Sequence, residues 1–331
     1  MFPTPSRLPT SSSRGSYRVF ASQRIVLASE APMNRRLQLF RSGAVTMTSS
    51  KSRCFVVLAF LGPALLCIFL LRLWPAALAL INSFREPGGS YGLGNYTYIF
   101  TDPEFLNSLK ITAVYSIIIN PLQIAIALAL AILMNAAIPT IGFWRMMVLL
   151  PVAIPQSVSA VVWGVALRPD GIVNSVLNSL GIESQRFLTS PDQSLASIML
   201  IVSWVGVGFW MTFLVAGLQE IPKSLYEAVR IDGANRWQQF RYITLPQLRR
   251  PLTFVLVADT AANFLVFAPV QILTQGGPTG STNLIMNEVF SQAFVLGDPS
   301  SAAASTVILV AVALLVVTIQ FQLMQAQDDR E

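Results

Sequence analysis

One apolar segment in the last third of the chain carries polar and aromatic side chains spaced four residues apart. These are Asp259, Asn263, Phe267 and Gln271. Residues four apart lie on one face of an α-helix, so the spacing predicts a single slanted stripe. Carboxylate and amide groups beside an aromatic ring suit a hydroxyl-rich solute with an apolar ring face. We therefore expect this stripe to line the path of such a solute.

A second polar stripe occurs in an earlier apolar segment and comprises Thr112, Ser116, Asn120 and Gln123. Polar side chains in a membrane helix are costly, and they face either a cavity or a neighbouring helix. For this stripe we favour hydrogen bonding between helices, and for the Asp259 stripe a cavity. Pairing of Asp259 with Arg72 or with another subunit is a further alternative. The chain has no histidine and no cluster of acids, so the sequence predicts neither catalytic residues nor a metal site.

The elements that carry these stripes are predicted to be membrane-spanning helices. Of the 331 residues, 53% are apolar and only 11% are charged, whereas soluble domains carry about 25% charged residues. Six segments are long and apolar enough to cross a bilayer, which needs about 20 residues. They are 55–81, 111–133, 146–167, 195–218, 252–273 and 302–323. The predicted fold class is an all-α integral membrane protein with six transmembrane helices.

The positions of the basic residues predict the orientation of the chain, because cytoplasmic flanks are enriched in Lys and Arg. With both termini in the cytoplasm, seventeen of the 22 basic residues lie inside. Only four lie outside, namely Arg85, Lys110, Arg168 and Arg186. Because the basic residues cluster in flanks and in one loop, the net charge of +6 does not indicate nucleic-acid binding. Residues 1–50 are predicted to be a disordered or mis-started N-terminal tail preceding a domain at 51–331.

The loop at 220–250, between the fourth and fifth segments, is the most informative part of the sequence. Ser224 and Glu227 have the spacing of a capping box and predict the start of a short helix. Asp232-Gly233 predicts its end, and a second short helix is expected over 236–242 until Leu245-Pro246 breaks it. A connector needs only about 2–8 residues, and this one exposes apolar side chains that a partner would cover. These are Tyr226, Ile231, Trp237 and Phe240. The alternative is an amphipathic hairpin lying on the lipid headgroups.

The same loop carries a specific sequence pattern. It reads Glu227-Ala228-Val229, then Gly233, then Ile243-Thr244-Leu245-Pro246. This resembles the signature loop of permease subunits in binding-protein-dependent ABC importers, with Val229 as a small departure. Further segments resemble the carbohydrate and glycerol-3-phosphate branch of that family, specifically the maltose-type first permease. They are 92–96, 102–105, 204–222 and 273–278. In the fifth span, Phe267-Ala268 departs from the Phe-Asp pair that is usual in this family.

The resemblance implies a permease that moves a sugar or sugar-like solute across the inner membrane of a bacterium by alternating access. Its implied partners are a second permease subunit, two copies of a cytoplasmic ABC ATPase, an extracytoplasmic solute-binding protein and the bilayer. ATP and Mg would bind to the ATPase subunits, so this chain is expected to bind no cofactor and to be no enzyme. The residues implied to couple it to the ATPase are Glu227, Ala228, Gly233, Ile243, Leu245 and Pro246.

Two alternative functions involve another solute or another energy source. An importer of glycerol 3-phosphate or glycerophosphodiesters is second, because Arg72 and Lys110 are few cations for a phosphate path. A transporter driven by an ion gradient is third. It would be expected to show internal repeats and intramembrane charge pairs, and Asp259 is the one strong mid-span acid.

Overall fold

The computed structural model of the chain describes residues 50–136 and 139–328, and most of the described residues are helical. The predicted N-terminal tail lies outside the described residues. The chain divides into two compact units, Met1–Leu71 and Arg72–Glu331. In the first unit the described part is helix α1, Ser50–Ile68. A π-helical turn, Phe69–Leu73, follows it.

Most of the membrane helices belong to the second unit. It contains α2 Trp74–Ser83, α3 Gly94–Thr101, α4 Pro103–Met134, α5 Ile141–Leu149, α6 Gln156–Ala166, α7 Ile172–Ser179 and α8 Pro191–Glu220. It continues with α9 Lys223–Ile231, α10 Arg236–Gln239, α11 Leu245–Gln247, α12 Arg249–Phe264, α13 Ala268–Leu273, α14 Ile285–Phe290 and α15 Pro299–Asp328. Short π-helical turns follow α10 and α14.

The predicted number of spans is confirmed when one bent pair of helices counts as a span. Five described segments are long and apolar enough to cross a membrane. They are Ala59–Ser83, Pro103–Met134, Pro191–Glu220, Arg249–Leu273 and Pro299–Met324. The third predicted span instead consists of Ile141–Ala153 and Gln156–Ala166, which meet at an angle of 98°.

Prolines explain the departures from straight helices. Pro155 precedes α6, and Ile154 has the extended backbone that a residue before proline prefers. The helix of the third span therefore stops there and restarts in another direction. In the first span, Pro75 lies in the first turn of α2, directly after the π-helical turn. Proline removes one backbone donor, and a π-helical turn is one way of absorbing that loss.

The centre of the second unit is formed by α4, α8 and α12. The residues buried there include Ala127, Met211, Leu214, Leu248 and Val255. Glycines on α8 let its neighbours approach closely. A Cβ atom at Gly208 would lie 2.5 Å from the carbonyl oxygen of Val148, and one at Gly217 would lie 2.7 Å from Cγ of Pro251.

The connection between the fifth and sixth spans is held by a buried polar cluster. Glu288 on α14 accepts hydrogen bonds from Nδ2 of Asn283 at 2.8 Å and from Nε2 of Gln292 at 3.2 Å. Ser305 on α15 donates to Oε1 of Gln292 at 2.6 Å. Burial raises the pKa of Glu288 above its ordinary value, and hydrogen bonds from Asn283 and Gln292 oppose that shift. The cluster ties α14 to the start of the last span.

We expect Gly208→Ala to lower the apparent melting temperature of the purified chain in detergent. The added methyl group must displace the backbone at Val148, and overpacking of this kind costs about 1–3 kcal/mol. Gly142→Ala is the matched control, because nothing lies within 4 Å of a Cβ atom built at that helical glycine. Its melting temperature should stay the same or rise. Equal melting temperatures for both variants would contradict the close packing of α8 against α5.

Candidate functional site

The two polar stripes predicted from the sequence meet in the centre of the bundle. Asn263 on α12 donates from Nδ2 to Oδ1 of Asn120 on α4 at 2.7 Å. Asn120 in turn donates to Oγ1 of Thr260 at 3.0 Å, and Tyr115 donates to Oδ1 of Asn263 at 3.4 Å. All four side chains are buried. Within the stripe on the second span, Asn120 therefore bonds helix to helix, as expected, whereas the hydroxyl of Ser116 has no hydrogen-bond partner among the described residues.

Asp259 belongs to the same cluster and is 1% exposed. The amide of Gln123 bridges it to α8, because its nitrogen donates to Oδ1 of Asp259 at 2.7 Å and its oxygen accepts from Oγ of Ser203 at 3.1 Å. The side chain of Trp210 also hydrogen-bonds this carboxylate. Arg72 is exposed, whereas Asp259 is buried. Arg72 and Asp259 therefore do not form an ion pair within the part of the chain that the structure describes.

The predicted single stripe is wrong for its second half. Helix α12 ends at Phe264, and α13 begins only at Ala268, so the fifth span is interrupted after Asn263. Phe267 lies in the interruption and packs on Phe290, with the ring centroids 4.9 Å apart. Gln271 is half-buried on α13. Because the helix is broken, Phe267 and Gln271 do not continue the face of Asp259 and Asn263. The role of these residues in a solute path stays a prediction.

The loop after the fourth span folds into a helix, a glycine turn and a second helix, as predicted. Helix α9 ends with the hydrogen bonds of a Schellman motif. The amide of Ala234 donates to the carbonyl of Val229 at 2.9 Å, and that of Gly233 donates to the carbonyl of Arg230 at 3.1 Å. Gly233 has a φ of +81°, which glycine adopts without the steric cost of a side chain.

Two local predictions for this loop are wrong. Helix α9 begins after Pro222 with no capping side chain, so Ser224 and Glu227 form no capping box. The capping box lies instead at Asn235 and Gln238, each of which accepts a backbone N–H of the other at 2.8 Å. Helical turns also continue through Leu245-Pro246 into α11. Proline is tolerated there because it occupies the first turn of α11.

The loop has an anchored side and a presented side. Tyr226 and Ile243 pack against the buried core around Met211 and Leu214, and the hydroxyl of Tyr226 lies 3.0 Å from Oγ1 of Thr244. Tyr226 and Phe240 are both half-buried, so their expected exposure is wrong. The presented side comprises Glu227, Ala228, Ile231, Gly233, Trp237 and Tyr242. Ile231 is 87% exposed.

The signature residues divide between these two sides. Glu227, Ala228 and Gly233 are exposed, whereas Ile243, Leu245 and Pro246 are half-buried at the base of the loop. Between the sides lies a concavity of about 250 Å³, lined by residues that include Val229, Gly233, Gln238 and Tyr242. The loop thus offers apolar side chains around a small hollow, which suits docking to a protein partner.

Sequence reasoning missed several residues that shape these sites. The pattern Asn235-x-x-Gln238 is the usual spacing of a capping box and could have been found in the sequence. Tyr242 was also missed, although it is 70% exposed. Ser203 and Trp210 gave no comparable signal, because their contacts with the polar cluster depend on how α8 packs.

A bundle of membrane spans, with a loop that is anchored at its base and exposes apolar side chains, defines a multi-pass membrane component. The comparison with protein families agrees. Residues 54–330 match the family described as "Binding-protein-dependent transport system inner membrane component". The chain belongs to this family and is an inner-membrane permease component of such a transport system.

Several curated relatives cover most of the chain. The sn-glycerol-3-phosphate transport system permease protein UgpA of Agrobacterium fabrum is 31% identical over 271 residues, covering 80% of this chain and 92% of the relative. The lactose transport system permease protein LacF of Rhizobium radiobacter is 30% identical over 299 residues, covering 87% and 100%. The sulfoquinovosyl glycerol transport system permease protein SmoG of Agrobacterium fabrum is 30% identical over 276 residues, covering 81% and 90%.

A solved structure has the same fold. It is a chain of a bacterial ABC transporter involved in the import of the acidic polysaccharide alginate. The TM-score is 0.75 at 24% sequence identity, and the match covers 83% of this chain and 96% of that chain. A second structure of the bacterial alginate transporter, in complex with an alginate pentasaccharide-bound periplasmic protein, gives a TM-score of 0.74. The likeness supports the arrangement of helices described above.

We expect Asp259→Ala to lower the melting temperature of the purified chain, because it leaves the Gln123 amide buried without its acceptor. An unsatisfied buried polar group costs about 1–3 kcal/mol. Asp259→Asn keeps an acceptor oxygen and should melt close to the unchanged chain. Asp170→Ala is the control, since Asp170 is exposed. A melting temperature unaffected by Asp259→Ala would show that the buried cluster does not stabilise the bundle.

Proposed function

We propose that this chain is one of two permease subunits in an importer that moves a sugar or sugar-like solute by alternating access, driven by a separate ATPase. The observation that carries the proposal is the loop at 220–250. It is fixed at its base by Tyr226 and Ile243 and presents Ile231 and Trp237 to solvent. A movement of the presented side can therefore be transmitted to the spans.

The six signature residues have two roles in this proposal. Glu227, Ala228 and Gly233 form the surface that enters a cleft of the ATPase. Ile243, Leu245 and Pro246 connect that surface to α12, which begins at Arg249. Because the helical turns run on through Pro246, a push on the loop acts along the start of the fifth span. The lipid-surface alternative is less favoured, because the loop buries one side in the protein itself.

The proposed assembly places the chemistry of ATP on other subunits. The sequence contains no G-x-x-x-x-G-K-[ST] phosphate-binding loop. ATP and Mg would then bind to two copies of a cytoplasmic ABC ATPase, and this chain would bind no cofactor. A second permease subunit completes the path, and an extracytoplasmic binding protein delivers the solute. The excess of basic residues in the N-terminal flank and in the loop supports cytoplasmic termini.

The polar cluster around Asp259 and Asn263 is the proposed central contact for the solute. In the described arrangement these groups bond to Asn120 and Gln123. A rocking motion that separates α12 from α4 would free them for the hydroxyls of a solute. Phe267 lies within the break in the span and Gln271 beyond it, so both would contact the solute only toward its outer side. These contacts with the solute require a change of helix packing, as alternating access does.

A hydroxylated solute is supported by the relatives, whose names give sn-glycerol 3-phosphate, lactose and sulfoquinovosyl glycerol. Import of glycerol 3-phosphate or a glycerophosphodiester is the second candidate, because a permease of that kind is among the most similar relatives. An ion-gradient-driven transporter is the third, and membership of the binding-protein-dependent family counts against it.

The partners can be tested by tagging the chain, purifying it gently from its native membrane and identifying its companions by mass spectrometry. We expect a second permease and an ABC ATPase in near-stoichiometric amounts, together with a solute-binding protein. The ligand of that binding protein then names the solute. Recovery of the chain alone or as a homo-oligomer, without an ATPase, would overturn the proposal in favour of gradient-driven transport.

The coupling role predicts that Gly233→Val reduces solute uptake about tenfold or more in proteoliposomes that contain the whole complex. A β-branched residue at a φ of +81° strains the backbone by roughly 1–2 kcal/mol and displaces the surface offered to the ATPase. Gly297→Val is the matched control, because Gly297 has a φ of +69°. Nothing lies within 4 Å of a Cβ atom built at either glycine.

The two variants should insert into membranes equally well, and Gly297→Val should keep at least half of the uptake. Gly297 precedes α15, at the opposite end of the spans from the loop. Normal uptake by Gly233→Val, or an equal loss in both variants, would contradict the coupling assignment.

A further inference from the structure

A cavity of about 530 Å³ lies at the outer end of the third and fifth spans. Its lining includes the apolar residues Val161, Gly164 and Leu273 together with the basic residues Arg168 and Arg186. Gly164 allows the close approach of α13, since a Cβ atom there would lie 2.6 Å from Cδ2 of Leu273. The cavity is separate from the buried cluster around Asp259, with which it shares no lining residue.

The two arginines carry positive charge that nearby acids do not neutralise by direct contact. Both side chains are exposed, as are the nearest acids in the sequence, Asp170, Glu183 and Asp192. Within the described ranges, no carboxylate oxygen lies within 4.0 Å of a nitrogen of either guanidinium group. The element packed opposite them contributes only Ile272 and Leu273. Two guanidinium groups therefore flank one cavity without an acidic partner.

The structure holds the backbones of the two arginine-bearing segments together. Asn174 on α7 is fully buried and uses Nδ2 to donate to the carbonyl of Arg168 at 2.9 Å and to that of Gln185 at 3.0 Å. Its Oδ1 accepts from the amide of Gln185 at 2.7 Å. Oγ of Ser197 donates to the carbonyl of Phe187 at 2.9 Å. One buried amide thus fixes the backbone of Arg168 beside the residue that precedes Arg186, so the fold holds the two arginine-bearing segments at one cavity.

We propose that Arg168 and Arg186 form an entry site for an anionic oxygen group, such as a phosphate, sulfonate or carboxylate, on a hydroxylated solute. The proposal rests on the proposed function and deepens it, because it assigns a negative charge to the solute. It also revises the expectation that the chain offers few cations for a phosphate path. That expectation counted Arg72 and Lys110, whereas the structure places two other arginines on one cavity.

The chemistry of the site fits a charged sugar derivative. Arginine presents a planar fork of donors that matches the oxygens of a phosphate or carboxylate, and it keeps its charge at every physiological pH. The apolar lining residues Val161, Gly164 and Leu273 are suited to the ring or carbon face of the solute. A pair of like charges at the mouth of a cavity also raises the local concentration of anions, by about tenfold or more.

The test uses a thiol placed in the cavity, so that it needs no transport. Thr189 lines the cavity and is exposed. Thr189→Cys is made in a Cys54→Ser, Cys67→Ser background, and the whole complex is placed in nanodiscs of phosphatidylcholine. The rates of modification by an anionic and by a cationic methanethiosulfonate are then compared. We expect the anionic reagent to react about tenfold faster than the cationic one, relative to their rates with a free thiol.

Charge variants and soluble probes identify the ligand class. Arg168→Gln combined with Arg186→Gln should abolish the preference for the anionic reagent. The matched control is Arg85→Gln, which removes an exposed outer cation that does not line the cavity and should keep the preference. Glucose 6-phosphate should slow modification of the Thr189→Cys variant, whereas glucose at the same concentration should leave the rate of modification unchanged. Inorganic phosphate should protect less than glucose 6-phosphate, because it lacks the carbon face.

Three results would overturn the entry site. They are equal rates for the two reagents, equal protection by glucose and glucose 6-phosphate, and protection that appears only when phosphatidylglycerol is added to the nanodiscs. The last result would assign the arginines to a lipid headgroup. A failure of the proposed function is distinguishable, because it would appear as purification of the chain without an ABC ATPase, whatever the reagents show at position 189.

Discussion

The hydrocarbon core of the membrane offers no hydrogen-bond partners, and this constraint governs the rest of the structure. A polar side chain inside a span is therefore costly unless it finds a partner in the protein. Asp259, Asn263, Asn120 and Gln123 meet that requirement together, at the contact of α4, α8 and α12. The cost of separating them keeps the described arrangement in place. A solute with several hydroxyls could offset that cost only by supplying equivalent bonds, which links recognition of the solute to a change in helix packing.

The loop at 220–250 and the outer cavity use the same principle at the two ends of the spans. In each, a few buried contacts fix the backbone, and the groups that act on a partner point outward. Tyr226 and Ile243 fix the loop that presents Ile231 and Trp237. Asn174 fixes the segments that carry Arg168 and Arg186. The transport component thus has backbone segments fixed by buried contacts at both ends of helices whose centre is polar.

The sequence predicted the helical class, the spans and the position of the loop, because these depend on local properties. Its errors also have local causes. Ser224 and Glu227 match the capping-box spacing, but Pro222 already begins that helix, and the box forms at Asn235 and Gln238. The stripe from Asp259 to Gln271 assumed a continuous helix, whereas the fifth span breaks at 265–267. Periodicity identifies a face only while the helix continues.

The sequence by itself determined that the chain has six membrane-spanning segments, because hydropathy acts over a few residues. It also located the loop at 220–250, which resembles an importer's signature loop in its residues and their spacing. Only the tertiary structure decided which polar groups meet. Asn120 and Asn263 are 143 residues apart, and Arg168 and Arg186 share a cavity only because Asn174 joins their segments. The tertiary structure also decided which loop residues are anchors and which are presented. Such contacts arise from long-range packing, which no local pattern records.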